Sequence, residues 1–296
     1  MHARFPFRAG RALLATLAAA TLAACGGAPG AAPRGRSSAI TDIGSDTIVN
    51  LALAWAEAYA KVQPEARISV TGGGSGTGIN SLINGSADIA NASRQMTAGE
   101  IAAAKERGIS PREVVIARDA IAVIVHKSNP VSRLTIEQLA AIFSGRIDNW
   151  SEVGGEDRPI VRLSREVNSG THVYFLEAVL RGGRKGDKTL FSADTLLLPS
   201  SEGVIAEATD NPNAIGYDGL GYVTPDVKVI AVSGDGGRTF VVPAAATVID
   251  RTYPIARDLY MYVRADAPPQ VGAYIDWILS PEAQRLVRSL GFVPIH

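Results

Sequence analysis

The sequence predicts an α/β protein with a mostly parallel sheet and a ligand rim at the carboxyl ends of its strands. Three observations lead there. Apolar runs of strand length alternate with segments of helical period along most of the chain. The stretch Gly72-Gly73-Gly74-Ser75-Gly76-Thr77-Gly78 stands between one such strand and one such helix. Hydroxyl-rich helix starts recur before Ile48 and before His172. Because ligands of open α/β sheets sit beyond the strands' carboxyl ends, these starts are the first candidates for a site.

At 296 residues, 46% of them hydrophobic, the chain can bury a sizeable core and divide it between two lobes. Formal charge is zero, but Arg4, Arg8 and Arg11 account for three of the 29 basic residues, so the chain past Ala24 is acidic by three. A nucleic-acid binder would show a basic excess. The single cysteine, Cys25, excludes an intrachain disulfide and a thiolate metal cluster. Those arginines and the apolar run Ala12 to Ala24 predict a signal peptide over residues 1–24, too short to span a membrane. Residues 25–38, rich in Gly, Ala, Pro and Ser, read as a flexible tether.

The elements follow in order. A strand near Ala39 to Ile43 runs into Gly44-Ser45-Asp46-Thr47 and an amphipathic helix from Ile48 to Lys61; capping by Ser45 or Asp46 accounts for this start as well as anion binding does. Arg67 to Val70 is a strand, and Ile79 to Ile83 a short helix after the glycine turn. Glycines bring backbone N–H groups close to an anion, and the first amides of a helix carry partial positive charge. Ser75, Gly76 and Thr77 would add donors, although a sharp bend explains the same glycines. The stretch matches neither the nucleotide P-loop, the dinucleotide fingerprint nor the nucleophile elbow.

Asp88 to Ala92 is a strand ending at Ser93-Arg94, and Thr97 caps a helix to about Arg107. Two strands, Glu113 to Ala117 and Ala120 to Val125, flank Asp119. Thr135-Ile136-Glu137-Gln138 has the form of a capping box opening a helix to Phe143, with Gly145 past its end; Ile147 to Trp150 reads as a surface loop. Pro159 to Leu163 is a strand leading through Arg165-Glu166-Val167-Asn168-Ser169-Gly170-Thr171 into a helix from His172 to Leu180. Arg181 to Lys188 is a solvated basic loop. Ser200 and Ser201 cap a helix from Glu202 to Asp210, and strands follow at Ala214 to Tyr217, Val227 to Val232 and Asp258 to Val263. Helices Val271 to Leu279 and Ala283 to Ser289 complete the chain.

Four of these stretches, Gly44 to Thr47, Gly74 to Gly78, Asp88 to Arg94 and Arg165 to Thr171, resemble the ligand motifs of PstS-type phosphate-binding proteins, the extracytoplasmic receptors of phosphate ABC importers. The resemblance runs in order from about Ala39 to the C-terminus, supported by Asn129-Pro130, Leu134 to Trp150, Asn213 to Tyr217 and Tyr253-Pro254-Ile255. Leu22-Ala23-Ala24-Cys25-Gly26 resembles the bacterial lipobox, in which the cysteine is lipidated. The family fold is a type II periplasmic-binding-protein clamshell, which would place lobe 1 at residues 39–118 with 258–296 and lobe 2 at 119–257, joined by two crossing strands.

What the resemblance implies is a monomer anchored by lipid on Cys25 to the outer face of the cytoplasmic membrane or in the periplasm. It would bind inorganic phosphate and serve the permease and ATPase of an importer, with no cofactor, metal or catalysis. The implied ligand set is Ser45, Asp46, Thr47, Ser75, Gly76, Thr77, Ser93 and Arg94 on one side of the cleft and Arg165, Ser169, Gly170 and Thr171 on the other. A dehydrated tetrahedral dianion needs a nearly complete donor shell, and arginine gives the strongest bonds. In one respect the chain departs from the pattern: where relatives often place an aspartate that accepts the proton of hydrogen phosphate, it has Ser93, then Arg94. Asp46 is the expected substitute acceptor, a plain helix cap its alternative. Sulfate, molybdate or tungstate receptors stay open as alternatives. A phosphate-ester hydrolase would have to work with Ser169 and His172, since His126 is the other internal histidine. Asp119, Tyr217 and Arg94 are left as supporting or hinge residues without an assigned role.

Overall fold

The computed structural model describes residues 39–296; the expectations for the signal peptide, Cys25 and the tether lie outside them. The chain opens with β1 (Ile40–Gly44), α1 (Asp46–Val62), β2 (Ile68–Thr71), α2 (Ser75–Asn84), β3 (Ile89–Ala92) and α3 (Ala98–Glu106). α1 buries Ile48, Leu51, Ala52, Trp55 and Tyr59, spaced three and four apart so that they share one face. α3 starts from a capping box between Thr97 and Glu100. α2 begins four residues before the apolar period does, because the glycine stretch supplies its first turn. Glycine is required there by packing: a Cβ on Gly78 would lie 2.2 Å from the Ile43 carbonyl oxygen of β1.

β4 (Pro111–His126) runs as one strand through the position where two were expected. A buried aspartate in mid-strand is tolerated because Arg257 lies directly opposite Asp119 in the register and neutralises it. Next come β5 (Arg133–Thr135) and α4 (Ile136–Phe143), the helix opened by the Thr135 and Gln138 capping box and followed by Gly145 at φ 79°. Trp150, expected in a surface loop, is buried, and its indole N–H donates to Asn213 O at 2.9 Å. β6 (Val161–Arg165) leads to α5 (Gly170–Phe175), which widens into a π turn over Leu176–Leu180.

Downstream lie β7 (Leu196–Leu198), α6 (Ser201–Asp210), β8 (Ala214–Gly219), β9 (Val227–Val229), β10 (Ala231–Ser233) and α7 (Ala245–Ile249), then β11 (Ala256–Arg264), α8 (Pro269–Ile278) and α9 (Pro281–Ser289). The apolar run Val227 to Val232 breaks in two because Ile230 N bonds Val123 O while its flanks join different sheets. Neither β7 nor α7 has a sequence pattern strong enough to predict it.

The main sheet has the order β2-β1-β3-β11-β4-β8-β6-β7, with β9 on β4. Its two ends are parallel, β1 with β2 and β3, and β6 with β7 and β8; the middle is antiparallel. The first part of β4 pairs with β11 and the last part with β8 and β9, so one strand serves both ends. Each end has its own core. Ile40, Trp55, Ile116, Met261 and Tyr274 cluster under α1, α8 and α9. Val123, Leu139, Phe143, Phe175 and Tyr217 cluster at the other end, where the Phe175 and Tyr217 rings stack 3.6 Å apart. Among the described residues, no helix is long and apolar enough to cross a membrane.

One core position carries a titration. Asp42 of β1 is fully buried, and neither carboxylate oxygen has a hydrogen-bond partner among the described residues. Burial pushes its pKa up to about 7, against a smaller opposing pull from Asn91 on the next strand. A carboxyl with a folded pKa above its unfolded value near 3.8 costs nothing at low pH and destabilises increasingly as pH rises from about 4 to 7. The full penalty is on the order of 4 kcal/mol. Asp42→Asn should therefore flatten the loss of stability between pH 4.5 and 8 and be the more stable protein at pH 8. Urea unfolding midpoints across that range check it, and parallel pH profiles for the two proteins would contradict it.

Candidate anion-binding site

The ends of β1, β2 and β3 make one rim. Ser45 N donates to Asn91 O at 3.0 Å, Gly74 N to Gly44 O at 2.9 Å, and Ser93 N to Ser75 Oγ at 3.0 Å. The Ser75 and Ser93 hydroxyls lie 3.3 Å apart. Ser45, Ser75 and Ser93 thus share the rim that the strand order predicts, and all three are buried.

The opposing rim is the turn after β6. Ser169 heads α5 by accepting Thr171 N at 3.2 Å. The Thr171 hydroxyl meets that of Thr47, 124 positions away, at 2.9 Å. A Cβ on Gly170 would stand 2.3 Å from Ser75 Oγ and 2.5 Å from Ser93 Oγ. Only glycine lets the two rims approach this closely. Farther out, Gly76 N donates to Asn168 O at 3.0 Å and Asn168 Nδ2 to Gly73 O at 2.9 Å, clasping the glycine turn.

Two guanidiniums approach this centre. That of Arg165 is committed to protein acceptors: Nε to Leu198 O at 3.2 Å, Nη1 to Ser201 Oγ at 2.8 Å, and Nη2 to Pro199 O at 2.8 Å and Asp46 Oδ2 at 2.7 Å. Asp218 lies 3.7 Å from Nη1, its pKa raised by burial against the pull of Arg165. The other oxygen of Asp46 accepts Gly73 N at 2.8 Å from its own rim, so of its two protein donors only Arg165 reaches across the gap. Arg257, which the sequence reading passed over, lies closer to the hydroxyls. Its Nη2 donates to Thr171 Oγ1 at 3.0 Å, to Thr47 Oγ1 at 3.4 Å and to Asp119 Oδ2 at 2.9 Å, and its Nη1 to Ser93 O at 3.0 Å. Asp119 is fully buried, which raises its pKa, and Arg257 opposes the shift.

The remaining predicted residues sit outside the centre. Thr77 turns back on Gly73 O at 2.6 Å. Arg94 forms a two-pronged bond with Glu100 at 2.7 and 2.8 Å. His172 joins Ser164 through Nδ1 at 3.0 Å, Ser164 joins the Tyr217 hydroxyl at 2.5 Å, and the imidazole packs on Phe191. Burial lowers the His172 pKa. Tyr217 and His172 therefore brace the rim from inside the core. Asp119 and Arg257 could have been found as opposite charges opening the two apolar runs that were expected to cross.

The centre thus offers Thr47, Ser75, Ser93 and Thr171 hydroxyls, backbone amides and one guanidinium paired with a carboxylate. Among the described residues no group of three or more His, Cys, Asp or Glu could hold a metal ion. Such a donor set suits a small oxyanion.

Comparison with known proteins places residues 29–282 under a family model described as a PBP superfamily domain. The chain is 34% identical over 279 residues to the phosphate-binding protein PstS of Pseudomonas aeruginosa, covering 88% of this chain and 84% of that one. It is 32% identical to PstS of Bacillus subtilis, covering 88% and 81%. Among solved structures it matches, at TM-score 0.78 and 32% identity, a Clostridium perfringens protein with bound phosphate described as a phosphate ABC transporter substrate-binding protein, covering 88% of this chain and 100% of that one. An ABC-type phosphate transport receptor from Vibrio cholerae matches at TM-score 0.69 and 30% identity, covering 86% and 99%.

The contacts at Gly170 lead to a mutational expectation. Gly170→Ala should hold the rims apart, because its methyl group would occupy the space of two hydroxyls, while leaving each core intact. Small-angle scattering should give a larger radius of gyration than the parent with an unchanged thermal midpoint; an identical scattering curve would contradict the reading.

Proposed function

The chain belongs to the PstS-type phosphate-binding proteins of the PBP superfamily, and on that premise we propose that it captures inorganic phosphate between two lobes and delivers it to the permease and ATPase of an ABC importer. The observation that carries this reading is the meeting of Thr47 with Thr171 and of Ser75 and Ser93 with Gly170. Chain turns far apart in sequence converge there on one buried spot of matched polarity. The lobes are residues 39–118 with 258–296 and residues 119–257, hinged on β4 and β11; their separate cores support this division. A ligand touching both rims favours the closed arrangement by differential binding.

The donors assigned to phosphate are the hydroxyls of Thr47, Ser75, Ser93 and Thr171 with the adjoining backbone. Asp46 and Arg165 act as a cross-cleft tie. The protein works as a monomer, without catalysis, and is held at the outer face of the membrane or in the periplasm by lipid on Cys25. A receptor for another tetrahedral oxyanion is the second reading, favoured by one observation: Asp46, the carboxylate expected to take the phosphate proton, already accepts from Gly73 N and from Arg165 Nη2.

Calorimetric titration of the mature protein with phosphate, sulfate and molybdate at pH 6 and pH 8 decides between them. Phosphate should bind most tightly, and Thr47→Val and Thr171→Val should each weaken it roughly 10- to 100-fold, the cost of a hydrogen bond to a charged group. Preference for sulfate or molybdate would move the assignment to the second reading, and silence toward all three would end both. Turnover of a phosphate ester would overturn the non-catalytic assignment.

A further inference from the structure

We propose that Arg257 is the residue that poises the anion site: it turns the Thr47 and Thr171 hydroxyls toward the ligand and supplies the positive charge behind them. This rests on the reading of phosphate as the ligand and adds to it a positioning residue that no ligand motif contains.

Arg257 and Asp119 are register partners on the two strands that join the ends of the sheet, with side chains 2% and 0% exposed. Asp119 Oδ2 accepts from both Nε and Nη2 of Arg257, at 3.3 and 2.9 Å. The Tyr174 ring lies against the guanidinium face at 5.6 Å, and Ser93 O receives Nη1. Edge and face are therefore fixed before any ligand arrives. The N–H groups of Nη2 are directed at Asp119, Thr171 Oγ1 and Thr47 Oγ1.

A hydroxyl that accepts from a cation turns its own hydrogen away from it, and a charged donor polarises the bond that follows. Thr47 and Thr171 come from opposite rims and bond each other at 2.9 Å, so one guanidinium orients this hydroxyl pair as a unit spanning the closing gap. The hydrogen bonds of Arg165 go instead to Leu198 O, Pro199 O, Ser201 Oγ and Asp46 Oδ2, and none reaches these hydroxyls. Removing Arg257 alone would strand a buried carboxylate. The informative variants are therefore Arg257→Gln with Asp119→Asn, which removes both charges together, and Arg257→Ala with Asp119→Asn, which also leaves space.

The test is phosphate titration of the mature parent and these variants, with folding followed by circular dichroism. The parent should bind phosphate, and both double variants should fold and bind about 100-fold more weakly, as expected for lost charge-assisted bonds. Guanidinium chloride at sub-denaturing concentration should restore much of the affinity of the Arg257→Ala variant, whereas sodium chloride at equal ionic strength should not. A purely structural role would not respond to guanidinium in this way. If the parent fails to bind phosphate, the functional reading itself falls. If the parent binds and the variants bind equally well, or their weakened binding is not rescued by guanidinium, the proposal for Arg257 is overturned while phosphate binding stands.

Discussion

Everything near the centre of this molecule is arranged around one buried ion pair, Asp119 with Arg257, set directly across from each other on β4 and β11. Placing two charges in an interior is costly, and the cost is offset only when geometry is good and the other polar atoms are satisfied. Here Leu220 N binds the second oxygen of Asp119, while Ser93 O and two threonine hydroxyls take the remaining reach of the arginine. The pair allows β4 to run unbroken from one end of the sheet to the other. It also brings a positive charge to the place where the two rims meet.

Much of the fold is legible in the sequence because its signals are local. The caps at Thr97, Thr135 and Ser200 need only a few consecutive residues, and the first two helices start where they say, while the third takes in Ser201 one residue earlier than expected. Apolar runs locate the buried strands for the same reason. What stays hidden depends on partners distant in sequence. The break expected at Asp119 vanishes because of a residue 138 positions later, and Trp150 is buried by a carbonyl 63 positions away. Short elements such as β7 and α7 have too few residues to show a period.

The candidate site follows the same division. Resemblance marks the strand-end turns, and Thr47, Ser75, Ser93, Gly170 and Thr171 do come together. Residue type alone does not say which arginine faces the hydroxyls. Arg165 stands within a recognisable motif yet spends its donors on backbone carbonyls, Ser201 and Asp46, whereas Arg257 lies outside every motif. Glycines carry two separate meanings as well: Gly78 makes room for β1, and Gly170 makes room for the opposite rim.

β4 and β11 are paired from Pro111 with Arg264 to Ala120 with Ala256, with one register shift between Leu259 and Tyr260, so the two strands leave the first end of the sheet tied to each other. Opening the rims twists this pair, and the deformation is shared between its ladder and its bulge, storing elastic energy in both. Such a spring returns toward its rest shape without help. The range of gape is then set by how far a two-stranded ladder can be wrung before its rungs lengthen.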